Sequence, residues 1–343
     1  MSTRVCVVGA GLWARSMHLP ALRQLPQAEI VSVVAATEES ARRTAADFGV
    51  PTWHTDIETA CRDDRVDVID IVAPPDVHLP AALAAARHGK HVICIKPLAR
   101  NVAEACRMAA AARDAGVRLF YAENVPFIPA IREARALIRA GHIGSVYRVK
   151  ACEGIGEPPG SWRFDRERSG GGALIDMAVH SIEFCRFIAG APVRSVYAET
   201  GTFVWAERGA AEDTAVLTLR FANDVIGQCE DSWSLPGAMD SRFEIFGTAG
   251  RILIDNLHRQ PVQVVSESGG WSFPLPVPGM LADGHLDMLA HFLDCIRTGE
   301  PSESEVGIGL RALAVVEAAT RSAATGERVA VAAGQDAPGS IHA

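Results

Sequence analysis

The chain has 343 residues, 48% of them hydrophobic and 22% charged, and a net charge of −8. At roughly 150 residues per domain this length holds two domains. The acidic balance, with no basic stripe and no regularly spaced aromatic platforms, excludes nucleic acid as the main partner. No apolar run approaches the ~20 residues of a membrane-spanning helix, so no membrane partner is expected. The first strand is expected to begin at Arg4, which leaves no room for a signal peptide before it. Eight scattered cysteines without a Cys-x-x-Cys pair read as reduced core residues of a cytoplasmic protein.

Residues 1–122 alternate β-rich runs with helical patterns, which predicts a parallel sheet with crossover helices. Val5-Cys6-Val7-Val8 is a continuous apolar run ending in Gly9-Ala10-Gly11, and a helix follows over 12–25. A strand at 30–34 leads to a helix at 38–48. The strand at 66–72 is stopped by Pro74-Pro75, and Asp76 is expected to cap an alanine-rich helix that ends at Gly89. A strand at 91–95, a helix at 102–115 and a strand at 117–121 complete a doubly wound Rossmann domain. In that fold ligands sit at the carboxyl ends of the strands.

From residue 123 the texture changes. A helix at 128–140 is closed by Gly141, and a strand follows at 145–152. Strands at 193–200, 215–221, 225–233, 240–246 and 251–255 are separated by turn residues. This predicts an α+β domain over 123–332 with a large open, mainly antiparallel sheet. Helices near 286–297 and 307–324 are expected to close that domain, and 333–343 reads as a loose tail.

Gly9-Ala10-Gly11-Leu12-Trp13-Ala14 fits G-x-G-x-x-A between a strand and a helix. Gly9 permits the tight turn. Gly11 lets a pyrophosphate approach the helix N-terminus, where N–H groups and the dipole favour anions. The second strand ends Val34-Ala35-Ala36-Thr37, without the acid that usually binds the ribose hydroxyls of NAD. Thr37, Arg42 and Arg43 are candidates to hold a 2′-phosphate, whereas Glu38 and Glu39 argue against one. The expected cofactor is NAD or NADP, with a lean to NADP. His78, at a helix start, either lies near that cofactor or caps.

A second constellation is Gly170-Gly171-Gly172-Ala173-Leu174-Ile175-Asp176-Met177-Ala178-Val179-His180. The glycines let the backbone approach something closely, and Asp176 and His180 stand four apart on one helix face. A carboxylate and an imidazole so placed suit proton handling. Lys96, one of only three lysines (Lys90, Lys96, Lys150), is the expected third member. Its compact ammonium suits proton transfer better than a guanidinium does. Asp287 and His291 are also four apart, but no further ligands accompany them, so packing is expected there and no metal. Trp205, Trp233 and Trp271 read as core or interface residues.

These motifs in this order resemble the Gfo/Idh/MocA family, named for glucose–fructose oxidoreductase and inositol dehydrogenase. The resemblance runs through Gly9-Ala10-Gly11, Pro74-Pro75 with His78, and Gly89-Lys90-His91-Val92 leading to Lys96-Pro97-Leu98-Ala99. It continues through Leu137-Ile138-Arg139-Ala140-Gly141-His142-Ile143-Gly144, Trp162-Arg163, the glycine run with Asp176 and His180, and Phe246-Gly247-Thr248-Ala249-Gly250.

The resemblance implies an NAD(P)-dependent dehydrogenase or reductase acting on a sugar, cyclitol or related polyol, as a homodimer or homotetramer. It places Lys96 beside the nicotinamide and the reacting carbinol, makes His180 the acid–base, and gives Asp176 the orienting of substrate or a share of the proton network. Gly9, Gly11, Leu12, Trp13, Ala36, Thr37, Pro74, His78, Ile95 and Lys96 are the expected cofactor contacts. Lys96, Asn124, Trp162, Arg163, Asp176 and His180 are the expected substrate contacts. Trp162 and Arg163 are either a loop anchor or a sugar platform with a hydroxyl-binding guanidinium, and Asn124 is either a pocket or a turn residue. Two departures stand out: Ile95 replaces the glutamate of the family's Glu-Lys-Pro, and Ala178 a common glycine. Ile95 keeps two other readings open, a redox-neutral lyase, hydrolase or epimerase that retains its nicotinamide, and a catalytically silent cofactor-binding protein.

Overall fold

The computed structural model describes residues 2–235, 237, 239–257, 262–266, 269–273 and 283–332, so the expected tail lies outside it. The chain forms two compact units, Met1–Glu123 with His285–Leu310, and Asn124–Gly284 with Arg311–Ala343.

The first unit begins with β1 (Thr3–Val8), α1 (Leu19–Gln24), β2 (Ala28–Val34), α2 (Glu38–Phe48), β3 (Thr52–His54) and α3 (Ile57–Arg62). It continues with β4 (Val68–Ile71), α4 (Pro75–Arg87), β5 (His91–Ile95), α5 (Val102–Asp114) and β6 (Leu119–Ala122). The six strands form one parallel sheet in the order β3-β2-β1-β4-β5-β6. Every residue of β4 and β6 is buried, as parallel strands covered by helices on both faces require. The chain order reverses direction at β1, the switch point where doubly wound sheets bind ligands. Two elements were not anticipated, β3 and α3, at three and six residues too short to show a period. Asp76 does not cap α4: Pro74 is the N-cap, and the helix opens at Pro75, whose missing N–H would have had no intrahelical partner.

The second unit contains α6 (Pro129–Arg139), β7 (Val146–Ile155), α7 (Arg166–Ser169), α8 (Ala173–Asp176), α9 (Ala178–Ala189) and β8 (Val193–Gly201). Then follow β9 (Thr214–Phe221), β10 (Ile226–Ser232), β11 (Met239–Gly247), β12 (Gly250–Asp255), β13 (Val262–Ser266) and β14 (Gly269–Phe273). With β15 (Val329–Ala330) they make a nine-stranded sheet ordered β14-β13-β12-β11-β7-β10-β9-β8-β15. Neighbours are antiparallel except β7 and β10, which run parallel. Helix α9 lies against β7, β10 and β9. Its Phe184 ring packs 4.4 Å from that of Phe243 on β11.

Helix α10 (His285–Thr298) was expected in the second domain but belongs to the first unit. Its Phe292 stacks on Phe120 of β6 at 4.9 Å, and the Arg118 guanidinium donates to the Cys295 carbonyl at 2.6 Å. Helix α11 (Val306–Thr325) starts in the first unit and continues in the second. All eight cysteines are free, and all but Cys106 are buried. Burial pushes the Cys6 thiol up to about 12, which keeps it protonated and inert. Among the described residues no helix is long and apolar enough to cross a membrane.

Candidate active site

The turn after β1 uses its two glycines for different reasons. Gly9 has φ +133°, and a Cβ there would lie 2.0 Å from the Val72 carbonyl oxygen. Gly9 is wedged between strand ends, and its N–H donates to the Val34 carbonyl at 2.9 Å. Gly11 has no atom within 4 Å of where a Cβ would sit. That open space at the start of a helix, at the switch point of a doubly wound sheet, fits a dinucleotide pyrophosphate. Leu12 beside it is 55% exposed, Trp13 is half-buried, and residues 14–18 wind as a π-type turn before α1.

Ala36 and Thr37 are exposed at the tip of β2. The Thr37 hydroxyl oxygen accepts the Ser40 N–H at 3.2 Å as the N-cap of α2. Glu38 and Glu39 occupy the first turn of that helix, where they complement the dipole. The His78 imidazole is fully buried between the loops that follow β4 and β5. Its Nδ1 lies 3.0 Å from the Pro97 carbonyl and its Nε2 2.8 Å from the Ala73 carbonyl. Burial holds this imidazole below the ordinary histidine range despite those contacts. His78 therefore packs between the two loops, its single N–H donating to one of these carbonyls, and is no cap. Ile95 is buried at the end of β5, with half-buried Lys96 next to it, and Pro74 is half-buried ahead of α4.

In the second unit the object that the glycine run approaches is Glu212. A Cβ on Gly172 would lie 2.0 Å from the Glu212 carbonyl oxygen. That carbonyl accepts the Ala173 N–H at 2.7 Å, and the Glu212 carboxylate accepts the Gly172 N–H at 2.9 Å. Glu212 thus satisfies the first N–H groups of α8, a partner forty residues away in sequence that spacing could not reveal. The expected single helix is two, because the run breaks at Met177 (φ −104°, ψ −45°). The His180 N–H consequently bonds the Met177 carbonyl at 3.0 Å, a tighter turn than an α-helix makes.

Asp176 closes α8 and is 7% exposed. Its Oδ2 accepts from Arg163 Nε at 3.2 Å and from the Trp233 indole at 3.1 Å. Arg163 lies over the Trp162 ring at 4.2 Å and also donates to the Pro159 carbonyl. Both Trp233 as a partner of Asp176 and the direction of Arg163 were illegible in the sequence. Asn124 donates to the Asp283 carbonyl at 2.7 Å, a tether to a segment distant in sequence. His180 is half-buried in the first turn of α9. Among the described residues no three His, Cys, Asp or Glu side chains group as metal ligands.

One titratable residue escaped sequence reading. Asp231, on β10 and 1% exposed, accepts the hydroxyl of Ser181, the neighbour of His180, at 2.7 Å. Its other oxygen has no hydrogen-bond partner among the described residues. Burial pushes the carboxyl well above its unfolded value of 3.8, the Ser181 bond opposing and the Glu230 charge adding.

Two predictions follow from this geometry. Gly9→Ala should lower stability by about 3 kcal/mol, whereas Gly11→Ala should leave thermal melting unchanged and weaken NADH binding on the order of tenfold. Melting curves and a fluorescence titration check both. For Asp231 the folded state holds its proton more tightly than the unfolded chain. Its contribution to stability is complete below the unfolded value of 3.8 and is lost as pH rises through the folded value. Asp231→Asn should therefore melt higher than the parent protein, by a margin that is larger at pH 8 than at pH 5. An equal margin at both would contradict it.

Comparison with known proteins agrees with this geometry. Residues 3–123 match the oxidoreductase family with an NAD-binding Rossmann fold, and residues 131–253 match the GFO/IDH/MocA C-terminal domain. The chain is similar to myo-inositol 2-dehydrogenase of Thermotoga maritima, 29% identical over 93% of this chain and 96% of the relative. It is 30% identical to 1,5-anhydro-D-fructose reductase of Ensifer adhaerens over 96% and 98% of the two chains. The structure of levoglucosan dehydrogenase in complex with NADH superposes with a TM-score of 0.90 at 26% identity, covering 96% and 99% of the two chains. A doubly wound sheet with an open dinucleotide turn, a second mixed sheet behind the glycine run, and these matches lead to one conclusion: the chain belongs to the Gfo/Idh/MocA family of oxidoreductases.

Proposed function

We propose that this oxidoreductase moves a hydride between NAD(H) and a carbinol or carbonyl carbon of a sugar, cyclitol or related polyol. The observation that carries the reading is Asp176, held by Arg163 and Trp233 at the end of the helix that Glu212 starts, in a chain whose first unit leaves Gly11 open to a dinucleotide. The nicotinamide, when bound, accepts or returns the hydride. His180 takes the hydroxyl proton as the carbinol is oxidised and gives it back in reverse. The Lys96 ammonium donates a hydrogen bond to the reacting oxygen and stabilises its developing negative charge. Asp176 orients the substrate by accepting from a hydroxyl. Buried Ile95, where the family has glutamate, favours one second reading, a redox-neutral enzyme that retains its nicotinamide.

NAD(H) is the better reading of the cofactor. Glu38 and Glu39, in the first turn of the helix that follows β2, set two negative charges where a 2′-phosphate would meet them. A homodimer or homotetramer through the face of the second sheet that exposes Val216 and Val265 is part of the proposal, and light scattering checks it. Eight free thiols suit a reducing, cytoplasmic setting.

The test is a polyol and sugar panel, myo-inositol and levoglucosan included, with either cofactor. Lys96→Met and His180→Ala should each lower kcat by about 10²–10⁴-fold while NADH binding stays within threefold. NADH should bind more tightly than NADPH. Full turnover by either variant, or tighter NADPH, would overturn the corresponding assignment.

A further inference from the structure

We infer that Arg163 and Trp233 are positioning residues for Asp176, which act on the substrate only through the carboxylate they hold. The inference rests on the reading that Asp176 orients substrate. The sequence leaves Arg163 open as a ligand for sugar hydroxyls, but the structure gives the side chain other work. It is 6% exposed, its Nε donates to Asp176 Oδ2, its Nη1 donates to the Pro159 carbonyl, and its plane lies over Trp162. A buried carboxylate needs a countercharge and hydrogen bonds, and this guanidinium supplies both.

Trp233 is fully buried and adds a donor from a different element, the end of β10. Its position is set independently of Asp176. Its N–H donates to the Asp213 carbonyl at 2.7 Å, and its carbonyl accepts the Trp205 indole at 2.8 Å. Asp213 is itself fixed, because its Oδ2 accepts three successive N–H groups, those of Phe203, Val204 and Trp205, at 2.8, 2.7 and 3.0 Å. The Phe164 ring sits edge-on to both tryptophans, 5.8 Å from Trp233 and 6.2 Å from Trp205. Two donors from separate, rigid parts of the unit thus converge on one oxygen of Asp176. They fix where the carboxylate accepts, which a single flexible partner would not do.

The experiment is a double-mutant cycle on the full chain, using NAD⁺ and the best polyol of the panel. Arg163→Gln and Trp233→Phe should each lower kcat about tenfold or more, with the NADH dissociation constant unchanged within twofold. In an Asp176→Asn background neither should lower kcat by more than about threefold further, since residues that act through one group do not add. Multiplying effects, or a raised polyol KM at unchanged kcat for Arg163→Gln, would show that Arg163 binds substrate directly and overturn the inference. If Arg163→Gln fails to fold, Trp233→Phe decides, because it removes the indole N–H while keeping an aromatic ring at that position. Loss of the parent reading is distinguishable: it shows as Lys96→Met and His180→Ala retaining turnover, or as no turnover of any polyol.

Discussion

The second unit depends on one steric allowance, the absence of a side chain at Gly172. Without it the Glu212 backbone could not sit where a Cβ would be, 2.0 Å away. That approach lets Glu212 take the first N–H groups of α8 with both its carbonyl and its carboxylate. The start of α8 is thereby fixed, and so is its last residue, Asp176. The break at Met177 then turns the chain into α9 and sets His180 at its first turn. Asp176 is thus placed by a packing contact that has no chemistry of its own.

The first unit shows a related division between packing and binding. Gly9 and Gly11 belong to one motif, yet Gly9 is glycine because Val72 crowds it, and Gly11 is glycine because the space above it is open. His78 packs fully buried between the loops after β4 and β5, its ring nitrogens within 3.3 Å of three backbone carbonyls. Those loops frame the carboxyl edge of the sheet, the edge at which Lys96 stands. A buried ring can therefore shape a binding edge through the loops it packs between.

Much of this was legible in the sequence, for identifiable reasons. Parallel strands buried on both faces read as unbroken apolar runs, so Val5 to Val8 and His91 to Ile95 announced themselves, and the alternation from residue 145 onward announced a half-covered sheet. What failed was whatever depended on distant partners or short pieces. Strand β3 and helix α3 were too brief to show a period. The helix break at Met177 left no proline or glycine to mark it. Arg163 stayed open between loop anchor and hydroxyl ligand because its carboxylate partner lies thirteen residues on in another element, and Trp233 read correctly as buried, but its bond to Asp176 did not show because an indole donor cannot be told from an indole filler. Helix α10 was misplaced because sequence order predicts neighbours, and here the chain returns to its first unit.

The central claim is direct hydride transfer between carbinol carbon and nicotinamide. It is tested most directly with a polyol deuterated at the reacting carbon, followed by mass spectrometry of the reduced cofactor. The account predicts NADH heavier by one deuterium. Deuterium lost to water, or product formed with no labelled cofactor released, would contradict it and favour a redox-neutral enzyme.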